Sequence, residues 1–198
     1  MNTLAEKLEL ACWIAKSYYD RGMGSGTSGN MSFCHDEKVY ITGSKICFGR
    51  LLPEDFSCMD MQGNLISEKK PSKEWPLHLA VYQHDPARGA VIHIHSTYSV
   101  LWSCLEHENA NDCIPDYTPY LRMKLGSVSL VDYAQPGSEE LMNAFRRKLG
   151  ASNGWLLRNH GLIAPGKTFM DAFAASEELG ESCHIAWELR NQNCRKIR

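Results

Sequence analysis

Three common features are missing from this sequence of 198 residues, and each absence narrows what the protein can be. It has no apolar run near the roughly 18 residues that a membrane-spanning helix needs. Its N-terminus lacks the charged and then apolar pattern of a signal peptide. Lysine and arginine number 21 against 23 acidic residues, so no basic surface for a nucleic acid is expected. We therefore expect a cytoplasmic protein with neither membrane nor nucleic-acid partners.

The eight cysteines do not follow the pattern of a disulfide scaffold. No Cys-x-x-Cys pair occurs, and several cysteines have apolar neighbours, as Cys12 does beside Trp13. Such cysteines are typical of small, reduced side chains in a cytosolic protein. The sequence also lacks an internal repeat or a linker, and its length suits one domain. We expect a single domain over residues 1–198.

Periodicity and turn residues predict alternating helices and strands. A capping box at Thr3 and Glu6 begins the first helix, and a second one at Thr168 and Asp171 begins the last. Further helices are predicted near residues 73–83, from residue 97, and at 139–149. Strands are predicted at 31–34, 39–42, 90–95, 127–133, 154–158 and 161–164, with extended chain between the last two. This order predicts one α/β domain with a mostly antiparallel or mixed sheet covered by helices.

His93 and His95 form the most informative local pattern. Side chains two residues apart in a strand point the same way, and neutral imidazole is a preferred zinc ligand. A hydrogen-bonded pair at a strand end is the alternative. His160, followed by Gly161, adds a third histidine, and three histidines with an open position are typical of catalytic zinc. The remaining histidines are interpreted as surface or otherwise satisfied: His35, His78, His84, His107 and His184.

Glu74 is a candidate acid/base residue in the first turn of a predicted helix. Trp75 can shield it and raise its pKa, although the helix dipole would favour a glutamate there in any case. Two glycine-rich segments, at 26–30 and 42–44, offer backbone N–H groups and small hydroxyls that can bind an anion. Neither segment has a Walker or dinucleotide pattern, and each by itself is weak support for phosphate binding.

Five segments in this order resemble the class II aldolase/adducin family. They are TSGNMS at 27–32, TGS at 42–44, PSKEW at 71–75, HIH at 93–95 and RNHG at 158–161. With the surrounding helices, the resemblance covers nearly the whole chain. It implies a three-layer fold with a sheet between two helix layers. It also implies one Zn²⁺ per subunit, replaceable by Mn²⁺ or Co²⁺, and a homotetramer with sites between subunits.

The resemblance implies roles for individual residues. His93, His95 and His160 match the family's zinc ligands, and Glu74 matches the acid/base residue that can also approach the metal. Tyr120 looks like the catalytic tyrosine that donates a proton, in its own subunit or a neighbour's; a buried aromatic in a loop is the alternative. The positions that match the phosphate site are Gly29, Asn30, Thr42, Gly43, Ser72 and Lys73, the last standing where fuculose-type aldolases tend to have a second serine.

The activity implied by the resemblance is that of a metal-dependent carbon–carbon lyase acting on a small phosphorylated sugar or sugar acid. The segment at 72–76 looks closer to the branch that decarboxylates 3-oxo-tetronate 4-phosphate to dihydroxyacetone phosphate and CO2, through a metal-stabilised enediolate, in sugar-acid catabolism. The alternatives are an aldolase cleaving a ketose 1-phosphate such as fuculose 1-phosphate, a pentulose-phosphate 4-epimerase, and a binding module like the adducin heads. The presence of all three histidines and Glu74 favours an enzyme.

Overall fold

The computed structural model describes residues 3–197 and arranges them around one seven-stranded sheet. The strands are β1 (Asn30–His35), β2 (Lys38–Thr42), β3 (Phe56–Asp60), β4 (Ala90–Ile94), β5 (Val128–Val131), β6 (Gly154–Leu157) and β7 (Gly161–Gly166). Their order in the sheet is β3-β2-β1-β4-β7-β6-β5. The β5–β6 pair is parallel and the other neighbouring pairs are antiparallel, which confirms the predicted mixed, mostly antiparallel sheet.

Helices cover both faces of the sheet. They are α1 (Leu4–Asp20), α2 (Trp75–His84), α3 (Thr97–Ser103), α4 (Tyr120–Leu125), α5 (Glu139–Arg146) and α6 (Phe169–Leu189). One apolar core joins the sheet to α1, α3, α4 and α6, and a second joins it to α2 and α5. Along β4, Ile92 and Ile94 belong to the first core and Val91 to the second, as the alternation of a strand requires. The three-layer architecture is therefore confirmed.

Both predicted capping boxes are present. The amide of Glu6 donates to the Thr3 hydroxyl at 3.2 Å, and the amide of Thr3 donates to the Glu6 carboxylate at 2.7 Å. Thr168 and Asp171 form the same pair of bonds at the start of α6, each at 3.1 Å. Each box satisfies amides that would otherwise lack a partner, and a lost cap costs about 1 kcal/mol. The two longest helices thus begin where local chemistry predicts.

Two elements and one local conformation differ from the sequence-based expectation. β3 was not predicted because Phe56–Asp60 lacks β-branched residues, yet its backbone pairs with β2 along its whole length. Helix α4 is six residues long, too short to display a helical period. The extended chain predicted at Asn159 and His160 is wrong: these residues form a turn in which Asn159 has a φ of 57°.

The boundaries around the site shift by one or two residues. Helix α2 begins at Trp75, so that Glu74 is its N-cap residue rather than a member of the first turn. Strand β4 ends at Ile94, which places His95 directly after it. Within residues 3–197, no helix has both the length and the apolar character needed to cross a membrane. All eight cysteines are free thiols.

Candidate active site

Three histidines and one glutamate converge at one end of the central strands. His93 lies in β4, His95 directly follows it, His160 lies in the turn between β6 and β7, and Glu74 caps α2. Because β4 and β7 are antiparallel neighbours, the end of β4 meets the start of β7, and His160 comes beside the other two histidines. One potential ligand atom from each of the four residues lies within 4.8 Å of all the others.

The ring nitrogens face one another at short distances. The Nε2 atom of His93 lies 3.0 Å from that of His95 and 3.3 Å from that of His160. The carboxylate of Glu74 spans the pair, with Oε2 3.3 Å from His93 Nε2 and Oε1 3.3 Å from His160 Nε2. His93 is fully buried and Glu74 is 5% exposed. Four potential ligands thus share one small, largely desolvated space.

The hydrogen bonds around the cluster leave its lone pairs unpaired. His93 Nδ1 lies 2.8 Å from the carbonyl oxygen of Leu162, so Nδ1 donates a proton there and Nε2 faces the centre of the cluster. Among the described residues, the buried Oε1 of Glu74 and Nδ1 of His160 have no hydrogen-bond partner. Converging lone pairs and an unpartnered carboxylate oxygen repel one another without a cation. The donor set therefore fits a divalent metal ion.

The environment favours the protonation states that bind a metal. Burial lowers the pKa of His95 to about 3 and that of His160 to about 4, and His93 adds to both effects. Burial would raise the pKa of Glu74, but His93, His160 and the Asn30 amide outweigh it and hold that pKa well below its usual range. The expected upward shift for Glu74 is therefore wrong. At neutral pH His95 and His160 are therefore unprotonated imidazoles and Glu74 is a carboxylate, the forms that bind a metal.

The predicted anion-binding residues lie near the cluster but differ in what they can donate. Gly29 has a φ of +84°, and a Cβ there would lie 3.1 Å from the carbonyl oxygen of His93, so the glycine lets the loop approach β4. The backbone amide of Gly43 donates to the carbonyl oxygen of Asp55 at 2.8 Å, and that of Ser72 donates to the carbonyl oxygen of Thr42 at 3.0 Å. The hydroxyl oxygen of Thr42 accepts from the backbone amide of Met31 at 3.2 Å, which leaves the hydroxyl proton of Thr42 free to be donated.

Asn30 and Lys73 occupy different environments. The Asn30 amide nitrogen donates to Glu74 Oε2 at 3.0 Å, and its oxygen lies 2.6 Å from His78 Nε2. Lys73 is exposed, with its stem beside Gly137, where an added Cβ would lie 2.9 Å from Lys73 Cδ. Its ammonium group contributes to the lowered pKa values of His95 and His160. The structure therefore brings a positive charge to the mouth of the cluster and turns Asn30 inward.

Tyr120 lies at the surface of the chain. It is the first residue of α4, its side chain is 58% exposed, and no hydrogen bond in the described part of the chain connects it to the cluster. The alternative explanation, a buried aromatic in a loop, is wrong on both counts. The helix that carries Tyr120 packs against α6.

His78 agrees with the expectation of a satisfied histidine, but its connection to Glu74 was not predicted. None of the other five histidines belongs to the four-residue cluster, but His78 is fully buried and contacts Asn30, which in turn contacts Glu74. It follows Glu74 by four residues, the spacing that places two side chains on the same face of a helix. That spacing was the signal from which the sequence could have predicted that His78 lies on the same side of the helix as Glu74.

The chain matches the family described as Class II Aldolase and Adducin N-terminal domain over residues 9–187. This match spans most of the sequence and agrees with the fold and the histidine cluster. The protein belongs to the class II aldolase/adducin family, which confirms the resemblance found in the five segments.

Relatives within the family narrow the chemistry. The chain is 37% identical to a 3-oxo-tetronate 4-phosphate decarboxylase of Haemophilus influenzae over 198 residues, covering 100% of this chain and 94% of the relative. It is 31% identical to an L-fuculose phosphate aldolase of Methanococcus maripaludis over 178 residues, covering 90% and 94%. The protein is accordingly an enzyme, a lyase that breaks a carbon–carbon bond.

Solved structures show the same architecture. YgbL from Klebsiella pneumoniae superposes with a TM-score of 0.95 at 34% identity, covering 100% of this chain and 96% of that one. An L-fuculose 1-phosphate aldolase superposes with a TM-score of 0.85 at 27% identity, covering 98% and 90%. The aldolase fold is therefore retained over nearly the whole chain.

Proposed function

We propose that this enzyme is a zinc-dependent decarboxylase that converts 3-oxo-tetronate 4-phosphate into dihydroxyacetone phosphate and CO2 in sugar-acid catabolism. The observation that carries the proposal is the buried cluster of Glu74, His93, His95 and His160. The choice of substrate is supported by the 37% identity to a decarboxylase of that name over the whole chain. An aldolase acting on a ketose 1-phosphate is the second candidate, favoured by the 31% identity to a fuculose-phosphate aldolase.

The proposed chemistry divides between the metal and Glu74. The three histidines would hold zinc, which when bound supplies a Lewis acid that stabilises negative charge on a substrate oxygen. Glu74, with its lowered pKa, begins as a carboxylate and takes the proton of the substrate's C2 hydroxyl. As CO2 leaves, the electron pair of the broken bond moves to the C3 oxygen and leaves an enediolate. Glu74 then returns its proton to C2.

The remaining proton and the phosphate are assigned to other residues. The C2 oxygen gave its proton to Glu74 and the carboxylate leaves as neutral CO2, so the C2 oxygen must take up one further proton. Tyr120 is the proposed donor of that proton and regains one from solvent. We propose that Gly29, Thr42, Ser72 and Lys73 bind the substrate phosphate, with Lys73 supplying a positive charge. The side-chain amide of Asn30 and the backbone amides of Gly43 and Ser72 donate within the fold. Ser72 would therefore bind the phosphate through its hydroxyl, and Asn30 and Gly43 would shape the site.

We also propose that the functional unit is a homotetramer. Tyr120 is 58% exposed and has no hydrogen bond to the cluster among the described residues, as expected of a residue that serves a neighbouring subunit. The whole chain, residues 1–198, is proposed to form one domain. The proposed compartment is the cytoplasm, where a phosphorylated substrate is retained because its charge opposes passage through lipid.

A coupled assay tests the reaction. Zinc-loaded protein receives 3-oxo-tetronate 4-phosphate, and both dihydroxyacetone phosphate and CO2 are followed against a blank without enzyme, because 3-oxo acids decarboxylate spontaneously. We expect metal-dependent product, with kcat reduced at least about 100-fold in Glu74→Gln because the acid/base group is lost. Absence of product, together with cleavage of fuculose 1-phosphate by the same preparation, would favour the aldolase instead.

Metal analysis tests the cluster separately. The purified protein is expected to hold about one zinc ion per chain, as a catalytic three-histidine site does. His95→Ala should lose most of that zinc, whereas His84→Ala, at an exposed histidine of α2, should retain it. Full zinc content in His95→Ala would remove His95 from the ligand set.

A further inference from the structure

A line of buried polar groups leads from Glu74 into the layer between the sheet and α2. Asn30 links Glu74 to His78, with contacts of 3.0 Å to Glu74 Oε2 and 2.6 Å to His78 Nε2. Beyond it, Ser32 Oγ lies 2.7 Å from His78 Nδ1 and 2.6 Å from the Tyr82 hydroxyl. None of these five side chains is more than 5% exposed. Ordered hydrogen bonds thus replace water around one side of Glu74.

The chemistry of the two ends determines the direction of every bond. A carboxylate can only accept, so the amide nitrogen of Asn30 faces Glu74 and the amide oxygen faces His78. His78 Nε2 therefore carries a proton and donates it to Asn30. Burial lowers the pKa of His78 to about 3, so the ring is neutral and its bare Nδ1 accepts from Ser32.

The far end of the line agrees with this direction. The Ser32 oxygen, whose own proton goes to His78, accepts from the Tyr82 hydroxyl at 2.6 Å. Every donor therefore points toward Glu74. The line ends at the hydroxyl of Tyr82, a side chain that is 1% exposed, so it has no route for protons from solvent. It can orient Glu74 but does not supply protons to it.

The two oxygens of Glu74 become inequivalent. Oε2 accepts the bond from Asn30, while Oε1 has no hydrogen-bond partner among the described residues. Without a donor at His78 Nε2, the Asn30 amide is free to flip and turn its own oxygen toward the carboxylate. Two facing oxygens repel, and the carboxylate would rotate away from its working orientation.

We propose that His78 is a positioning residue for Glu74. By fixing the amide of Asn30 it holds Oε2 in place and leaves Oε1 as the atom that exchanges the proton with substrate. The inference rests on the proposed function, because it is that function which requires Glu74 to transfer a proton. The orientation of the hydrogen bonds follows from the structure of the chain and stands apart from the identity of the substrate.

Kinetics of two His78 variants test the role. In zinc-loaded protein, His78→Leu removes the donor, and kcat should fall about 10- to 100-fold with little change in KM or zinc content. His78→Gln can place its amide nitrogen where Nε2 lies, and most of the lost kcat should return. Ser176→Ala is the matched control: it loses a buried hydrogen bond to Tyr18 in the layer on the other face of the sheet and should keep the wild-type kcat.

The proposal is overturned if His78→Leu loses no more kcat than Ser176→Ala, or if His78→Gln is as impaired as His78→Leu. A second measurement needs neither activity nor a variant. Nitrogen NMR of ¹⁵N-histidine-labelled wild-type protein should show His78 as the neutral Nε2–H tautomer with a slowly exchanging proton. The Nδ1–H tautomer would overturn the inference. Failure of the decarboxylase assay with the Nε2–H tautomer present would reject the proposed function alone.

Discussion

Lys73 and Glu74 are consecutive charged residues with opposite environments. Lys73 is exposed beside the cluster, whereas Glu74 is buried within it, because the chain turns at the N-cap of α2. A buried carboxylate is stable there because histidines and an amide surround it. An exposed ammonium keeps its hydration and remains available to an incoming anion. Two consecutive residues thus supply a carboxylate that reacts, at Glu74, and a positive charge that can bind an anion, at Lys73.

Lys73→Ser should weaken substrate binding more than it slows the chemistry. A hydrogen bond to a charged group contributes about 1.5–3 kcal/mol, so KM is expected to rise roughly 10- to 100-fold while kcat changes less. Steady-state kinetics at constant ionic strength measure both constants. Lys70→Ser, at an exposed lysine three residues earlier, should leave KM unchanged. Equal KM values for the two variants would show that Lys73 does not contact the substrate.

At the scale of elements, the site depends on how closely β4 and β7 approach at the end where they carry histidines. Gly161 begins β7, and a Cβ there would lie 2.5 Å from the carbonyl oxygen of Ile94 and 2.8 Å from His95 Cδ2. The missing side chain therefore lets the turn with His160 close onto the end of β4. Pairing of the two strands then determines the distance between the histidines.

Gly161→Ala should disturb stability and metal binding together. The added methyl group would push β7 from β4, at an expected cost of about 1–3 kcal/mol, and would weaken zinc binding by displacing His95. Urea unfolding and zinc titration measure the two effects. Gly180→Ala in α6 is the control: its Cβ would meet the flexible end of Met23 at 3.4 Å, and stability should stay equal or rise by up to about 1 kcal/mol. Unchanged zinc affinity in Gly161→Ala would contradict this account.

The stability of the whole molecule is linked to protons through its buried histidines. His78 has a pKa of about 3 in the folded protein, against about 6.5 in an unfolded chain. Between these values the unfolded chain binds a proton that the folded chain does not. The contribution of His78 to the free energy of unfolding is therefore fully present above about pH 6.5 and declines as the pH falls toward 3. His95 and His160, whose pKa values are also lowered, act in the same direction.

The metal-free protein should lose about 1.4 kcal/mol per pH unit from His78 alone as the pH falls within this window. Urea unfolding of the metal-free protein at several pH values measures the slope. His78→Gln has no titrating group at this position, so its stability should fall less steeply. Parallel curves for the wild-type protein and the variant would show that His78 is protonated in the folded state at a higher pH.

Assembly of several chains is the largest scale at which the site can be tested. If Tyr120 serves a neighbouring subunit, mixed oligomers of Glu74→Gln and Tyr120→Phe contain some sites with both residues intact. Co-expressed variants should therefore show decarboxylase activity well above either parent, and light scattering should show a tetramer. If Tyr120 works in its own subunit, every site in the mixture carries a defect and activity does not recover.

Much of the fold follows from local patterns in the sequence. The capping boxes at Thr3 and Thr168 mark the starts of two helices because a hydroxyl and a carboxylate three residues apart satisfy free amides. The adjacency of His93 and His95 also follows locally, from the alternation of side chains along extended chain. By contrast, β3 depends on the partner strand β2, and α4 is too short for its pattern to be recognised.

The sequence by itself determined which residues are available for catalysis: a His-x-His pair, a third histidine before a glycine, and a glutamate near the start of a predicted helix. Only the tertiary structure decided how they act together. Pairing of β4 with β7 brings His160 to His93 across 67 positions of sequence, and β1 brings Asn30 between Glu74 and His78. Such contacts depend on strand register and on burial, which arise from packing the whole chain rather than from any local segment.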